Sequence, residues 1–223
     1  MSTPLSRGKY PYNQPLPAAF TAITQSATPF RLDQIVRFFF QQLPTASTFT
    51  QTTAKVKANW DTAIAAADAT KIVYSPVFSG LKIPPSAPLE VGANTNATFS
   101  GIGELYDEGT IRVTGTFRSK DAPSMLSMQQ LTQYSLQNTI GASNLGLWMV
   151  NKDGYIFGNA FATPASAFDP FMVYNFRTSA RGSEGLNSPD LMDFTFDMLP
   201  TWDSNLVCVI PTAPFDPIAN YAS

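Results

Sequence analysis

Six of the sixteen carboxylates, Glu104, Asp107, Glu108, Asp193, Asp197 and Asp203, are the candidates for acid–base chemistry. A glycoside hydrolase needs two such groups facing one cleft. Asp193 and Asp197 share one side of an alternating segment, opposite Met192, Phe194, Phe196 and Met198. A solvated strand face accounts for that pair without catalysis. Histidine is absent from the chain. Its absence removes Ser-His-Asp and Cys-His nucleophilic systems, histidine bases and most zinc, copper and non-haem iron sites. Cys208 is the single cysteine, so no intramolecular disulfide, iron–sulfur cluster or cysteine-rich zinc site can form. It lies in the apolar run Leu206-Val207-Cys208-Val209-Ile210, where a small buried thiol is expected rather than a reactive one.

Two glycine motifs also lead to loops rather than ligands. Gly101-Ile102-Gly103 opens like a dinucleotide fingerprint, but Tyr106 stands where the third glycine belongs. Asp153-Gly154 lacks the further oxygen ligands of a calcium loop and reads as a turn. No catalytic, cofactor-binding or metal-binding residue is assigned, and the chain is expected to be no enzyme and to need no cofactor.

The composition points to association instead. Hydrophobic residues make up 44% of the 223, enough for a substantial core. Charged residues make up 13%, about half the ~25% usual in soluble domains. A surface so poor in charge lacks the repulsion that keeps copies apart, and charge is depleted at the cores of interfaces. The net charge is −2 with no lysine or arginine cluster, so a direct grip on nucleic acid is not expected. A DNA conduit lined by such a surface is compatible with it. Met1-Ser2-Thr3-Pro4-Leu5-Ser6-Arg7 is not the apolar stretch of a secretory signal, and no run approaches the ~20 apolar residues of a membrane helix. Synthesis in the cytoplasm, with no membrane partner, is expected. The sequon at Asn96 therefore carries no meaning.

The elements form an α+β pattern. Residues 1–30, rich in proline and carrying Tyr10, Tyr12 and Phe20, read as an extended arm. Leu32, Ile35, Val36, Phe39, Phe40 and Leu43 have helical spacing and predict a helix over 31–43, stopped by Pro44. Val56, Trp60, Ala63, Ile64 and Ala67 predict a second helix over 52–68. Together they make a helical segment, 31–70, packed on a β-rich domain at 71–210. Within that domain, 75–98 is a proline-stiffened arm in which Leu81, Ile83, Leu89 and Val91 interleave. Ile111, Val113, Gly115 and Phe117 alternate with Arg112, Thr114, Thr116 and Arg118, a half-buried strand. Asp121-Ala122-Pro123 caps a helix over 122–138. Leu145 to Val150 and Tyr155 to Phe157 form a hairpin about Asn151-Lys152-Asp153-Gly154. Strands follow at 171–181, 191–199 and 206–210, then a proline-braced tail, 211–223. The expected fold is a mainly antiparallel β-sandwich or barrel with an inserted helix, preceded by two N-terminal helices. Trp60, Trp148 and Trp202 are expected in the core.

Over residues 110–210 this order resembles the virion proteins of tailed bacteriophages, especially tail-tube and neck-ring subunits. The resembling parts are the strand from Ile111 to Phe117, the helix from Ser124 to Asn138, the hairpin from Leu147 to Phe157, and the two long strands ending in Asp193-Phe194-Thr195-Phe196-Asp197. The resemblance implies a β-sandwich flanked by a helix, a homo-oligomeric ring or tube around a DNA channel, other virion proteins as partners, and residence in the virion. Residues 31–68 and 75–98 depart from a minimal tube subunit and suit an elaborated ring or capsid-associated protein equally. The candidate inter-subunit contacts are Tyr10, Tyr12, Leu81, Ile83, Leu89 and Val91. Two other classes stand beside this one: a receptor- or glycan-binding fibre module using aromatics near 148–157, and a hydrolase using Asp193 and Asp197.

Overall fold

The computed structural model describes residues 34–43, 49–91, 104–136, 145–160, 166–186 and 188–221. In chain order it begins with β1 (Ile35–Gln42), β2 (Phe49–Thr50), a 3-10 turn (Thr53–Lys55), α1 (Lys57–Ala65), β3 (Ile72–Tyr74), β4 (Phe78–Lys82) and β5 (Pro88–Val91). Next come β6 (Glu104–Glu108), β7 (Ile111–Ser119), α2 (Ala122–Leu136), β8 (Leu145–Asn151) and β9 (Ile156–Asn159). The last elements are β10 (Ala167–Phe168), β11 (Phe171–Thr178), β12 (Gly182–Ser183), β13 (Asp190–Met198) and β14 (Leu206–Val209). Every strand pairing among the described residues is antiparallel, which fits the expected sandwich.

Ten strands make one hydrogen-bonded sheet that folds back on itself. One wall holds β3, β1, β8, β9 and β14; the other holds β13, β7 and β4, with β12 on β13. The strand β11 belongs to both. Phe171, Met172 and Val173 pair with Leu147, Gly146 and Leu145 of β8, and the later residues pair with β13. The register shifts between Tyr174 and Arg177, where Asn175 takes φ 53°. A bulge of this kind bends a strand and lets it pass from one sheet to another. It also resets the alternation, so that Phe171, Val173 and Phe176 all face inward. The amide freed at Phe176 donates to Ser135 Oγ of α2 at 2.6 Å, which fastens the helix beside the crossing point.

Aromatic rings fill the space between the walls. Phe38 of β1 meets Phe78, Phe194 and Phe196 of the opposite wall at centroid separations of 4.3, 5.7 and 5.7 Å. Met125, Met128 and Leu131 of α2 close the same cluster. Asp121 caps α2 as expected, accepting from the backbone N–H of Ser124.

The helix expected over 31–43 is instead the central strand β1. Both of its faces are buried: Phe38 and Phe40 point between the walls, while Phe39 packs outside them with Trp60 and Trp148. A strand buried on two sides reads as a continuous apolar run, and such a run satisfies helical spacing by accident. The chain therefore does not open its described part with two helices. The second expected helix is present in shortened form. Val56, extended at φ −107° and ψ 122°, separates the 3-10 turn from α1. Trp60 is held by its Nε1–H to the Ala54 carbonyl at 2.8 Å.

This outer layer is completed by the last residues. Phe215 and Tyr221 join Phe39, Trp60 and Trp148 in a second buried cluster, so the stretch 211–221 packs rather than trails. Arg37 of β1 is wholly buried there; its Nη1 donates to the carbonyls of Pro217 and Ile218 at 3.1 and 3.2 Å. No described helix is long and apolar enough to cross a membrane.

Candidate assembly surface

The segment 75–98, expected as a loop-like arm, is largely strand in its described part. Phe78 and Ser79 pair with Phe117 and Thr116 of β7, and Lys82 pairs with Thr114. Beyond Lys82 the two chains stay together. The Gly109 amide donates to the Ala87 carbonyl at 2.8 Å, and β5 pairs with β6 from Pro88 opposite Glu108 to Val91 opposite Glu104. This ribbon continues the β4–β7 pair but hydrogen-bonds to neither wall. Pro88, Leu89, Glu90 and Asp107 are exposed, with Leu89 at 50%. Two strands alone are marginal in water, so a ribbon of this kind gains from a neighbour.

The candidate contact residues are dispersed among these environments. Leu81 and Ile83 are half-buried against the inner cluster. Leu89 is exposed on the ribbon, and Val91 is paired within it. Tyr10 and Tyr12 lie outside the described residues, as do Asn96 and the Gly101-Ile102-Gly103 motif.

The outer face of the β4–β7–β13–β11 wall is the other surface of note. Gly80, Lys82, Thr114, Thr116, Arg177 and Ser179 are among the residues lining a groove of about 630 Å³ there. The alternation in β7 and β13 puts Thr114, Thr116 and Thr195 on this side and their apolar neighbours inside. Asp193 accepts from Thr116 Oγ1 at 2.7 Å. Asp197 is nearly buried and accepts from Arg112 Nε and Nη2 at 2.9 and 3.3 Å and from Asn175 Nδ2 at 2.8 Å. Burial pushes the Asp197 carboxyl up, but the hydrogen bonds from Arg112 and Asn175 and the charges of Arg112 and Arg177 outweigh it. The carboxyl is held below its ordinary value. A general acid needs the opposite shift. Lys82, Arg118 and Arg177 have no ion-pair partner among the described residues, and Lys82 and Arg177 are exposed.

The hairpin aromatics do not form a platform. Trp148 and Phe157 are buried and Tyr155 is half-buried against the inner cluster. Trp60 and Trp202 are buried too, as the sequence suggested. Among the described residues no group of three or more metal-ligating side chains is found. Cys208 is half-buried in β14, and burial pushes its thiol up to about 11. Sequence reading missed Arg37. Its place inside an apolar run, Ile35-Val36-Arg37-Phe38-Phe39-Phe40, was the available signal that a charge is buried there.

No family model matches this chain, and no curated protein matches it. A solved structure that does match is a chain of the virion of a native gene transfer agent particle. It is 14% identical, with a TM-score of 0.30, and the match covers 60% of this chain and 85% of that one. So loose a superposition assigns neither family nor role.

Proposed function

We propose that this protein is a non-enzymatic structural subunit of a phage-like particle, self-assembling head to tail into a ring or tube. The observation that carries the reading is the β5–β6 ribbon, a pair of strands bonded to neither wall and exposed at Pro88, Leu89, Glu90 and Asp107. A ribbon held by a neighbouring copy makes one surface meet a different one, and such heterologous contacts generate rings or filaments. The low charge content supports the same reading, because a surface with few ionic groups loses little solvation when copies cover it. The phage setting rests on the order of elements over 110–210 and its resemblance to tail-tube and neck-ring subunits. In that setting DNA passes through the assembly and other virion proteins bind its ends.

Native mass spectrometry and light scattering across a concentration series test the reading. Discrete multiples of the 24.2 kDa chain, or growth into long particles, are expected. A species that stays monomeric at the highest attainable concentration overturns it.

A further inference from the structure

Charge is divided unevenly along this chain. Residues 83–111 contain four carboxylates, Glu90, Glu104, Asp107 and Glu108, and no lysine or arginine. With a net charge of −2 overall, the remainder carries +2, all of it from Arg7, Lys9 and Arg31 against Asp33 in residues 1–33, while residues 34–82 and 112–223 together balance. Glu90 and Asp107 are exposed on the ribbon. Lys82 and Arg177, exposed and without ion-pair partners among the described residues, stand on the groove in the outer face of the β4–β7–β13–β11 wall. The groove is also lined by Thr114, Thr116 and Asp193, whose carboxylate accepts from Thr116 Oγ1 at 2.7 Å. That lining offers two cations against one carboxylate already bonded to Thr116, and the ribbon offers Glu90 and Asp107 together with an exposed apolar side chain, Leu89.

We propose that the acidic β5–β6 ribbon of one copy docks in the Lys82–Arg177 groove of the next. This rests on the self-assembly reading above and names its two surfaces. Within one copy the ribbon pairs with none of the strands that line the groove, so the groove is left for a neighbour's ribbon. The two surfaces differ, which makes the contact heterologous and lets it repeat from copy to copy. Opposite charges brought together in this way set register and exclude the ribbon-to-ribbon and groove-to-groove alternatives, where like charges meet.

Sedimentation velocity on the parent, two charge-reversal variants and the mixture of the two tests the inference. The face variant carries Lys82→Glu and Arg177→Glu; the ribbon variant carries Glu90→Lys and Asp107→Lys. All four positions are exposed, so both variants are expected to melt like the parent. Each variant alone is expected to need at least tenfold more protein to assemble, and added salt is expected to weaken the parent's assembly. An equimolar mixture is expected to assemble again, because the reversed ribbon meets the reversed groove and the two native surfaces meet each other. A neutral pair, Lys82→Gln with Arg177→Gln, gives an intermediate shift and serves if a reversed variant misfolds. If the parent assembles and both variants assemble as readily, the ribbon–groove contact is overturned while the structural role stands. A parent that never associates overturns the structural role itself.

Discussion

The ring of Phe194 lies over Gly115 so closely that a methyl group on that glycine would sit 2.5 Å from its Cζ. Gly115 occupies an inward position of β7, between Val113 and Phe117, where the alternation calls for an apolar side chain. The space is already taken by the ring, which stacks on Phe117 at 4.3 Å and meets Phe38 edge-on. Gly115→Ala is expected to destabilise the fold by about 1–3 kcal/mol, the usual cost of overpacking. Urea unfolding checks it. Combining the change with Phe194→Leu should give a loss smaller than the sum of the two single effects, because the smaller side chain vacates the contested space. Strict additivity would show that the two positions do not compete.

Arg37 ties the final residues to β1 through two carbonyl bonds, while its Nε and Nη2 find no partner among the described residues. Its guanidinium also lies 5.7 Å from the Tyr74 ring centre. Arg37→Met keeps the bulk and removes both the bonds and the orphaned donors. The net loss of global stability should be small, on the order of 1 kcal/mol or less, because apolar replacement of a buried charge removes its desolvation cost. The stretch 211–221 should nevertheless loosen. Chymotrypsin cleavage after Phe215 or Tyr221 should accelerate several-fold, and an unchanged cleavage rate would show that apolar packing alone holds the stretch.

Acid should act through Asp197. Unfolded, this residue takes up a proton near the ordinary carboxylate value of about 3.9. Folded, its pKa is held lower by Arg112 and Asn175. Between the two values the unfolded chain binds more protons, so stability rises with pH there. The contribution is complete above the ordinary value and disappears as pH falls through the folded one. Asp197→Asn should therefore flatten the acid limb of a stability–pH profile and cost about 1–3 kcal/mol at neutral pH. An acid limb identical to the parent's would exclude Asp197 as its source.

Cys208 should be sluggish. With its thiol pushed up to about 11, thiolate is scarce at pH 8. Alkylation should run roughly two orders of magnitude slower than for a free cysteine with the ordinary pKa of about 8.5. Unfolding in guanidinium should restore the ordinary rate. Fast labelling of the native protein would contradict the burial that raises the pKa.

What the sequence disclosed depended on whether an element buries one face or two. In β7, Ile111, Val113 and Phe117 alternate with polar partners because one side meets water, and that pattern is readable. The hairpin turn was equally plain: Asn151 Oδ1 accepts from the amides of Asp153 and Tyr155, and Gly154 takes φ 80°, as such turns demand. In β1 the outer layer of Trp60, Phe215 and Tyr221 erases the alternation, and those residues lie far away in sequence. The bulge at Asn175 was hidden for a related reason. Alternation through Met172, Tyr174 and Phe176 assumes a regular strand, whereas Phe171, Val173 and Phe176 are the residues that turn inward. The groove suffered most, since Lys82 and Arg177 come to line one groove only through the pairing of four strands.

Because β11 is hydrogen-bonded to both walls, neither can detach while the other remains intact. The two halves share this strand, and unfolding should proceed as one cooperative event with near-equal hydrogen-exchange protection in β8 and β13. A copy pressed by its neighbours in a particle would pass the load through β11 and respond as a single stiff body.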